Sequence, residues 1–164
     1  MKIGIIADTH DNLPAIDRAV SLLNQEKVQL VLHLGDYVAG FAVLRFKPLK
    51  AKLIGIFGNN DGDHQLLEKR FREINAEIRG KFAEVVVEGV KIAMTHGDEL
   101  ELLKSLVDTQ SYDVVAHAHS HEARVYREDK TLVINPGEVC GYLSGKSTIA
   151  LLNSLNLDAK IVEV

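Results

Sequence analysis

The chain has 164 residues, 46% hydrophobic and 26% charged, proportions ordinary for a globular protein and a length that buries a core without covalent staples. Its 19 Lys and Arg against 23 Asp and Glu give a formal charge of -4, which offers no overall basic footprint for nucleic acid, and no apolar run approaches a membrane span. A lone cysteine, Cys140, excludes an internal disulfide and fits a reducing cytoplasm.

The opening stretch MKIGIIADTHD is too short and too soon acidic for a signal peptide, so residues 2–7 read as a buried strand. Asn12 is placed to cap a following helix, with Pro14 in its first turn and Leu13, Ile16, Val20 and Leu23 recurring at helical spacing. Residues 28–34 and 52–57 form further continuous apolar runs, and a second helical stretch, HQLLEKRFREI, follows with Asn60 or Asp61 as its expected cap. Such βαβ units imply a parallel sheet. The second half changes character. AEVVVEGVKIAM reads as a hairpin turning at Glu88-Gly89, EARVYREDKTLVIN as one turning near Glu128 to Lys130, and STIALLNSLNLDAKIVEV as a last antiparallel pair. With no repeat and no linker, the expectation is one domain over residues 1–164. Its fold class is mixed α/β, with two packed sheets and helices on the outer faces.

Polar residues gather where these strands end. The runs lead into Asp8-Thr9-His10, Gly35-Asp36, Gly58-Asn59-Asn60-Asp61, Thr95-His96-Gly97 and the stretch His117-Ala118-His119-Ser120-His121. Each alone is a common turn or cap. Their coincidence at one sheet edge is informative, because ligands of α/β sheets sit beyond the carboxyl ends of strands and converging carboxylates and imidazoles need a cation. Oxygen and nitrogen donors without a thiolate suit Mn, Fe, Co, Ni or Zn better than a calcium cage. A carboxylate shared between two such ions, with a bridging water of lowered pKa, is the arrangement that clamps and attacks a phosphoryl group.

In that order the motifs resemble the calcineurin-like metallophosphoesterases. With the later stretch INPGE, the chain is most similar to the small single-domain phosphodiesterases of bacteria and archaea that include the YfcE type. The resemblance implies a four-layer αββα sandwich and two divalent transition-metal ions, with manganese placed first. Asp8, His10 and His121 would hold one ion and Asn59, His96 and His119 the second, with Asp36 bridging; Asp36, Asn59 and His96 would also carry the catalysis. His117 would pack or support rather than bind. The implied substrate is a small phosphodiester, with homodimer or homotetramer association; the competing reading is a protein-binding scaffold similar to the metallophosphatase-like subunit of the retromer coat.

Two positions depart from the family pattern. Ala118 replaces a glycine, and Asn60 stands where most phosphatases of the family carry a histidine that protonates the leaving group. An amide cannot deliver a proton at neutral pH, which argues for a diesterase. His64 is read as a solvated surface residue, with replacement of the missing acid as its alternative role. Of the remaining polar residues, His33 is expected in the core, Asp61 as a helix cap or as the group that orients Asn59, and Asn135-Pro136-Gly137 as a turn near the site or at a subunit contact. Cys140 reads as a small buried hydrophobe. Arg124 and Lys146 are candidates for substrate phosphate. Residues 44–49, LRFKPL, offer apolar surface for association, unless Phe46 and Leu49 simply cover the sheet.

Overall fold

The computed structural model describes residues 1–164. In chain order the elements are β1 (Lys2–Ile6), α1 (Leu13–Gln25), β2 (Leu30–His33), the single-turn α2 (Gly40–Val43) continuing into a 3₁₀ turn (Leu44–Phe46), β3 (Lys52–Gly55), α3 (His64–Glu73), β4 (Glu77–Ile78), β5 (Phe82–Val87), β6 (Val90–Thr95), α4 (Leu100–Asp108), β7 (Val114–Ala116), β8 (Arg124–Glu128), β9 (Thr131–Asn135), β10 (Thr148–Asn153) and β11 (Asp158–Glu163).

The strands form a six-stranded sheet ordered β11-β10-β1-β2-β3-β4 and a five-stranded sheet ordered β5-β6-β7-β9-β8. β1 to β4 run parallel, as the βαβ pattern requires. The closing pair β10 and β11 returns to this first sheet, where β10 lies antiparallel to β1. The second sheet is mixed: hairpins β5-β6 and β8-β9 flank a parallel centre of β6, β7 and β9. The hairpin-rich half therefore does not make a sheet of hairpins alone.

Three apolar cores separate the layers. Ile3, Ile5, Leu30, Leu32 and Ile54 of the first sheet meet Val85, Ile92, Met94, Val114 and Ile134 of the second between the sheets. The other face of the first sheet, through Ile6, Val31 and Leu53, packs on Ile16, Val20 and Leu23 of α1, Ala42 and Val43 of α2, and Leu67 and Phe71 of α3. Leu106 and Val107 of α4 cover Ala93, Val115 and Val133 of the second sheet. This is the αββα sandwich.

Helix α1 starts where its signals placed it, with the Asn12 side chain accepting from Ala15 N at 3.2 Å. Helix α3 is capped by Asp63, which accepts from Leu66 N, and not by Asn60 or Asp61. Helices α2 and α4 lie outside the expected elements, although Leu102, Leu103, Leu106 and Val107 carry a helical period. The apolar runs over 28–34 and 52–57 outlast β2 and β3 at their carboxyl ends, where the chain leaves the ladder to build the loops described below. Residues 44–49 expose less apolar surface than expected: Phe46 is buried beside the His33 ring, with centroids 5.6 Å apart, and Leu49 packs on the helix-side core.

Candidate metal centre

Asp8 and His10 follow β1, Asp36 follows β2, Asn59 follows β3, His96 follows β6, and His119 and His121 follow β7. Strands of both sheets thus deliver these residues to one edge of the sandwich. The loops that carry them are tightly wound. Asp8, His10, Asp36, His119 and His121 all adopt positive φ, between 38° and 69°, a region non-glycine residues rarely occupy and one that concentrates at functional sites. Gly35 and Gly58 let the loops after β2 and β3 touch: a Cβ on Gly35 would lie 2.4 Å from Gly58 N, and one on Gly58 would lie 2.2 Å from Asp36 Oδ1.

Asp61 locks this contact. Its carboxylate accepts from Gly58 N, Asp36 N, Tyr37 N and Val38 N at 2.8–2.9 Å, tying one loop to the other. It neither caps α3 nor orients Asn59, because both its oxygens are already taken by backbone N–H groups.

Within the cluster, Asp36 Oδ2 lies 3.4 Å from His10 Nε2 and 3.4 Å from His96 Nε2. Asp8 Oδ1 lies 3.7 Å from His10 Nε2 and 3.6 Å from His121 Nε2. His119 Nδ1 is 3.0 Å from Asn59 Oδ1, and its ring stands 5.3 Å from that of His96. Both oxygens of Asp8, Nε2 of His10 and Nε2 of His96 are buried without a hydrogen-bond partner. A buried, unpaired carboxylate is costly, and a cation relieves that cost.

The protonation states suit a cation too. His96 Nδ1 faces the Leu34 carbonyl at 2.8 Å, and His121 Nδ1 faces Glu138 Oε2 at 2.7 Å. Both partners only accept, so both imidazoles donate from Nδ1 and turn Nε2 toward the cluster. Burial pushes the Asp36 carboxyl up, but the adjacent His96 imidazole and two hydrogen bonds from Asn60 outweigh it and hold the group far below the ordinary carboxylate range. The donor set and its orphaned atoms therefore fit divalent cations.

The residues around the cluster take more definite roles than their sequence context indicated. His117 packs near Gly97, and its backbone N–H continues the β7-β9 pairing by donating to Ile134 O. His33 is fully buried, as expected. His64 is half-buried at the surface, its ring stacked on Phe57 with centroids 3.8 Å apart. The Asn-Pro-Gly turn does lie at the site, since Asn135 Nδ2 donates to Ala118 O and Ser120 Oγ and so holds the loop of His119 and His121. Arg124 is engaged over the Tyr126 ring at 4.7 Å, and Lys146 is exposed in the loop before β10. Cys140 is buried but is more than a hydrophobe, because its Sγ donates to Glu138 at 2.9 Å; burial and that carboxylate push the thiol up to about 12.

Glu138 itself is the residue sequence reasoning missed. It is fully buried, and burial pushes it up, yet hydrogen bonds from Cys140, His121 and Ser144 hold it at about 2. Its signal was a carboxylate placed directly after the Asn-Pro-Gly turn and before the apolar pair Val139-Cys140. His121, Glu138 and Cys140 also converge closely enough to suggest a second cation site, but their hydrogen bonds account for the proximity.

Comparison with known proteins agrees with this geometry. The calcineurin-like phosphoesterase superfamily domain matches residues 1–156. The chain belongs to that family. Phosphodiesterase MJ0936 of Methanocaldococcus jannaschii is 44% identical over 156 residues, covering 94% of this chain and 93% of that protein. Phosphodiesterase YfcE of Escherichia coli K12 is 25% identical over 152 residues, covering 85% and 79%. Among solved structures, an archaeal phosphodiesterase superposes with a TM-score of 0.96 at 39% identity over 100% of both chains. Vps29 of Entamoeba histolytica complexed with Zn²⁺ superposes with a TM-score of 0.74 at 17% identity, covering 100% of this chain and 98% of that one, a likeness of fold alone. As in this family generally, divalent metal ions are the implied cofactors.

Proposed function

We propose that residues 1–164 act as one dinuclear metal-dependent phosphodiesterase domain that hydrolyses a small phosphodiester. The observation that carries this reading is the unpaired Asp8 carboxylate, whose Oδ1 lies 3.7 Å from His10 Nε2 and 3.6 Å from His121 Nε2, with Asp36 Oδ2 equidistant from His10 and His96. Asp8, His10 and His121 would hold one ion; Asn59, His96 and His119 would hold the other; Asp36 would serve both. Bound there, the ions would supply Lewis acidity toward the phosphoryl oxygens and lower the pKa of water. Manganese is the metal favoured, with Ni, Co, Fe and Zn as alternatives. A cytoplasmic setting and a homodimer or homotetramer belong to the same proposal.

The diester preference rests on Asn60. Its Nδ2 donates to Asp36 Oδ2 at 2.7 Å and its backbone N to Asp36 Oδ1 at 2.9 Å, so the amide braces the shared carboxylate. It supplies no proton to a departing oxygen. A nitrophenolate leaves a diester without protonation, whereas an alkoxide leaving a monoester depends on a general acid worth about 10²–10⁴-fold. Manganese-loaded protein is therefore expected to cleave bis-nitrophenyl phosphate and to act on alkyl monoesters slower by about that factor. Asn60→His is expected to raise the monoester rate and change the activated diester rate far less. Equal rates on both substrates, unmoved by that substitution, would reject the role given to Asn60. The scaffold reading requires a protein that retains its metals, hydrolyses neither ester with any of these ions, and binds a specific protein partner.

A further inference from the structure

Glu138 sits at the junction of the metal centre and an exposed loop. Its Oε2 accepts from His121 Nδ1 at 2.7 Å, from Cys140 Sγ at 2.9 Å and from Tyr142 N at 3.2 Å; its Oε1 accepts from Leu143 N at 2.9 Å and from Ser144 N. Tyr142 and Leu143 are themselves exposed. With both oxygens filled by donors, the carboxylate has no position left from which to donate. The imidazole of His121 must then carry a proton on Nδ1, which turns Nε2 toward Asp8 Oδ1, 3.6 Å away.

We propose that Glu138 is the positioning residue of His121: it fixes the tautomer and ring pose of that ligand, and its second oxygen is held by the backbone of Leu143 and Ser144 so that the carboxylate cannot swing away. This rests on the reading of His121 as a ligand of the Asp8 ion. The physical reason is the one that governs supporting carboxylates in general. A ligating imidazole whose other nitrogen is unheld can rotate or flip its tautomer, and loss of such a support weakens metal binding by about 10–100-fold. The backbone N–H groups of Leu143 and Ser144 add a restraint that a solvated carboxylate would lack.

The test is calorimetric titration of metal-free wild type, Glu138→Ala and Glu138→Gln with Mn²⁺. The melting temperature and the ¹⁵N imidazole spectrum of each metal-free protein are recorded alongside. Wild type is expected to bind two ions and to show His121 protonated on Nδ1. In Glu138→Ala one ion should bind as in wild type and the other about 10–100-fold more weakly, with the Nδ1–H signal lost. If Glu138→Ala does not fold, Glu138→Gln decides, since an amide cannot accept at both of its ends; it too should weaken one ion selectively. Wild-type affinity for both ions in the folded variant would overturn the inference. So would equal weakening of both ions together with a lowered melting temperature, which is the signature of a general structural prop. If wild type takes up no Mn²⁺, the metal-centre reading fails instead, and the imidazole spectra of the metal-free proteins still decide whether Glu138 sets the His121 tautomer.

Discussion

Asp36 stands between two histidines, 3.4 Å from Nε2 of His10 and 3.4 Å from Nε2 of His96, and it is almost completely buried. If it serves both ions, its loss is not equivalent to loss of a terminal ligand. Asp36→Ala is expected to abolish binding of both metals, whereas His117→Ala should retain them, because His117 packs near Gly97. Elemental analysis of metal per chain checks this, and unchanged content in Asp36→Ala would reject the bridge. Ligand linkage supplies a second measure: Mn²⁺ at 100 times its Kd should stabilise wild type by about 2.7 kcal/mol and leave Asp36→Ala unmoved. The motif residues were legible because each follows an apolar run directly. Glu138 was not, because its importance comes from folding back onto His121, seventeen residues earlier.

The elements that matter most to the site are the loops after β2 and β3. Asp61 alone satisfies four backbone donors there, three of them on residues that are themselves buried. Asp63, two residues later, does the lesser work of capping α3. Asp63→Ala is accordingly expected to cost about 1 kcal/mol and to leave metal content unchanged. Asp61→Ala strands the N–H groups of Gly58, Asp36, Tyr37 and Val38, at about 1–3 kcal/mol for each donor left buried and unpaired. It should therefore cost several times more and also weaken metal binding by loosening Asp36. Urea unfolding and metal titration of the two variants check this; equal, small losses would show that Asp61 is not the clasp. The sequence signal could not separate these two aspartates, since either is a plausible cap by type and distance from the helix.

Across the whole molecule, His33 lies at the end of β2, between the sheet and the helix layer, its ring tilted 32° against that of Tyr37 with centroids 3.9 Å apart. Gly35 N donates to its Nδ1, so the neutral ring carries its proton on Nε2, facing Thr9 Oγ1. Complete burial holds its pKa well below the ordinary 6.5. In the unfolded chain this histidine takes up a proton near 6.5 while in the folded protein it does not, so below that pH the unfolded state binds more protons. Its contribution to stability is present above 6.5 and is lost as the pH falls, at up to about 1.4 kcal/mol per pH unit. Urea midpoints of wild type should drop between pH 7 and pH 5.5, and His33→Gln should flatten that slope. An unchanged slope in the variant would show that His33 does not couple global stability to pH.

The sequence by itself determined the alternation of strands and helices in the first half, the hairpins of the second, and the motif residues at the strand ends. These are local properties: apolar period, turn chemistry and the residue that follows a strand are all written within a few positions. Only the tertiary structure decided that β10 returns with β11 to pair with β1, that β6, β7 and β9 run parallel, that Asp61 clasps two loops and that Glu138 meets His121. Each of these joins residues far apart in the chain. Strand partners are chosen by which apolar face finds cover, and buried donors by which acceptor the packing brings within reach, so neither could be read from the neighbours of a residue alone.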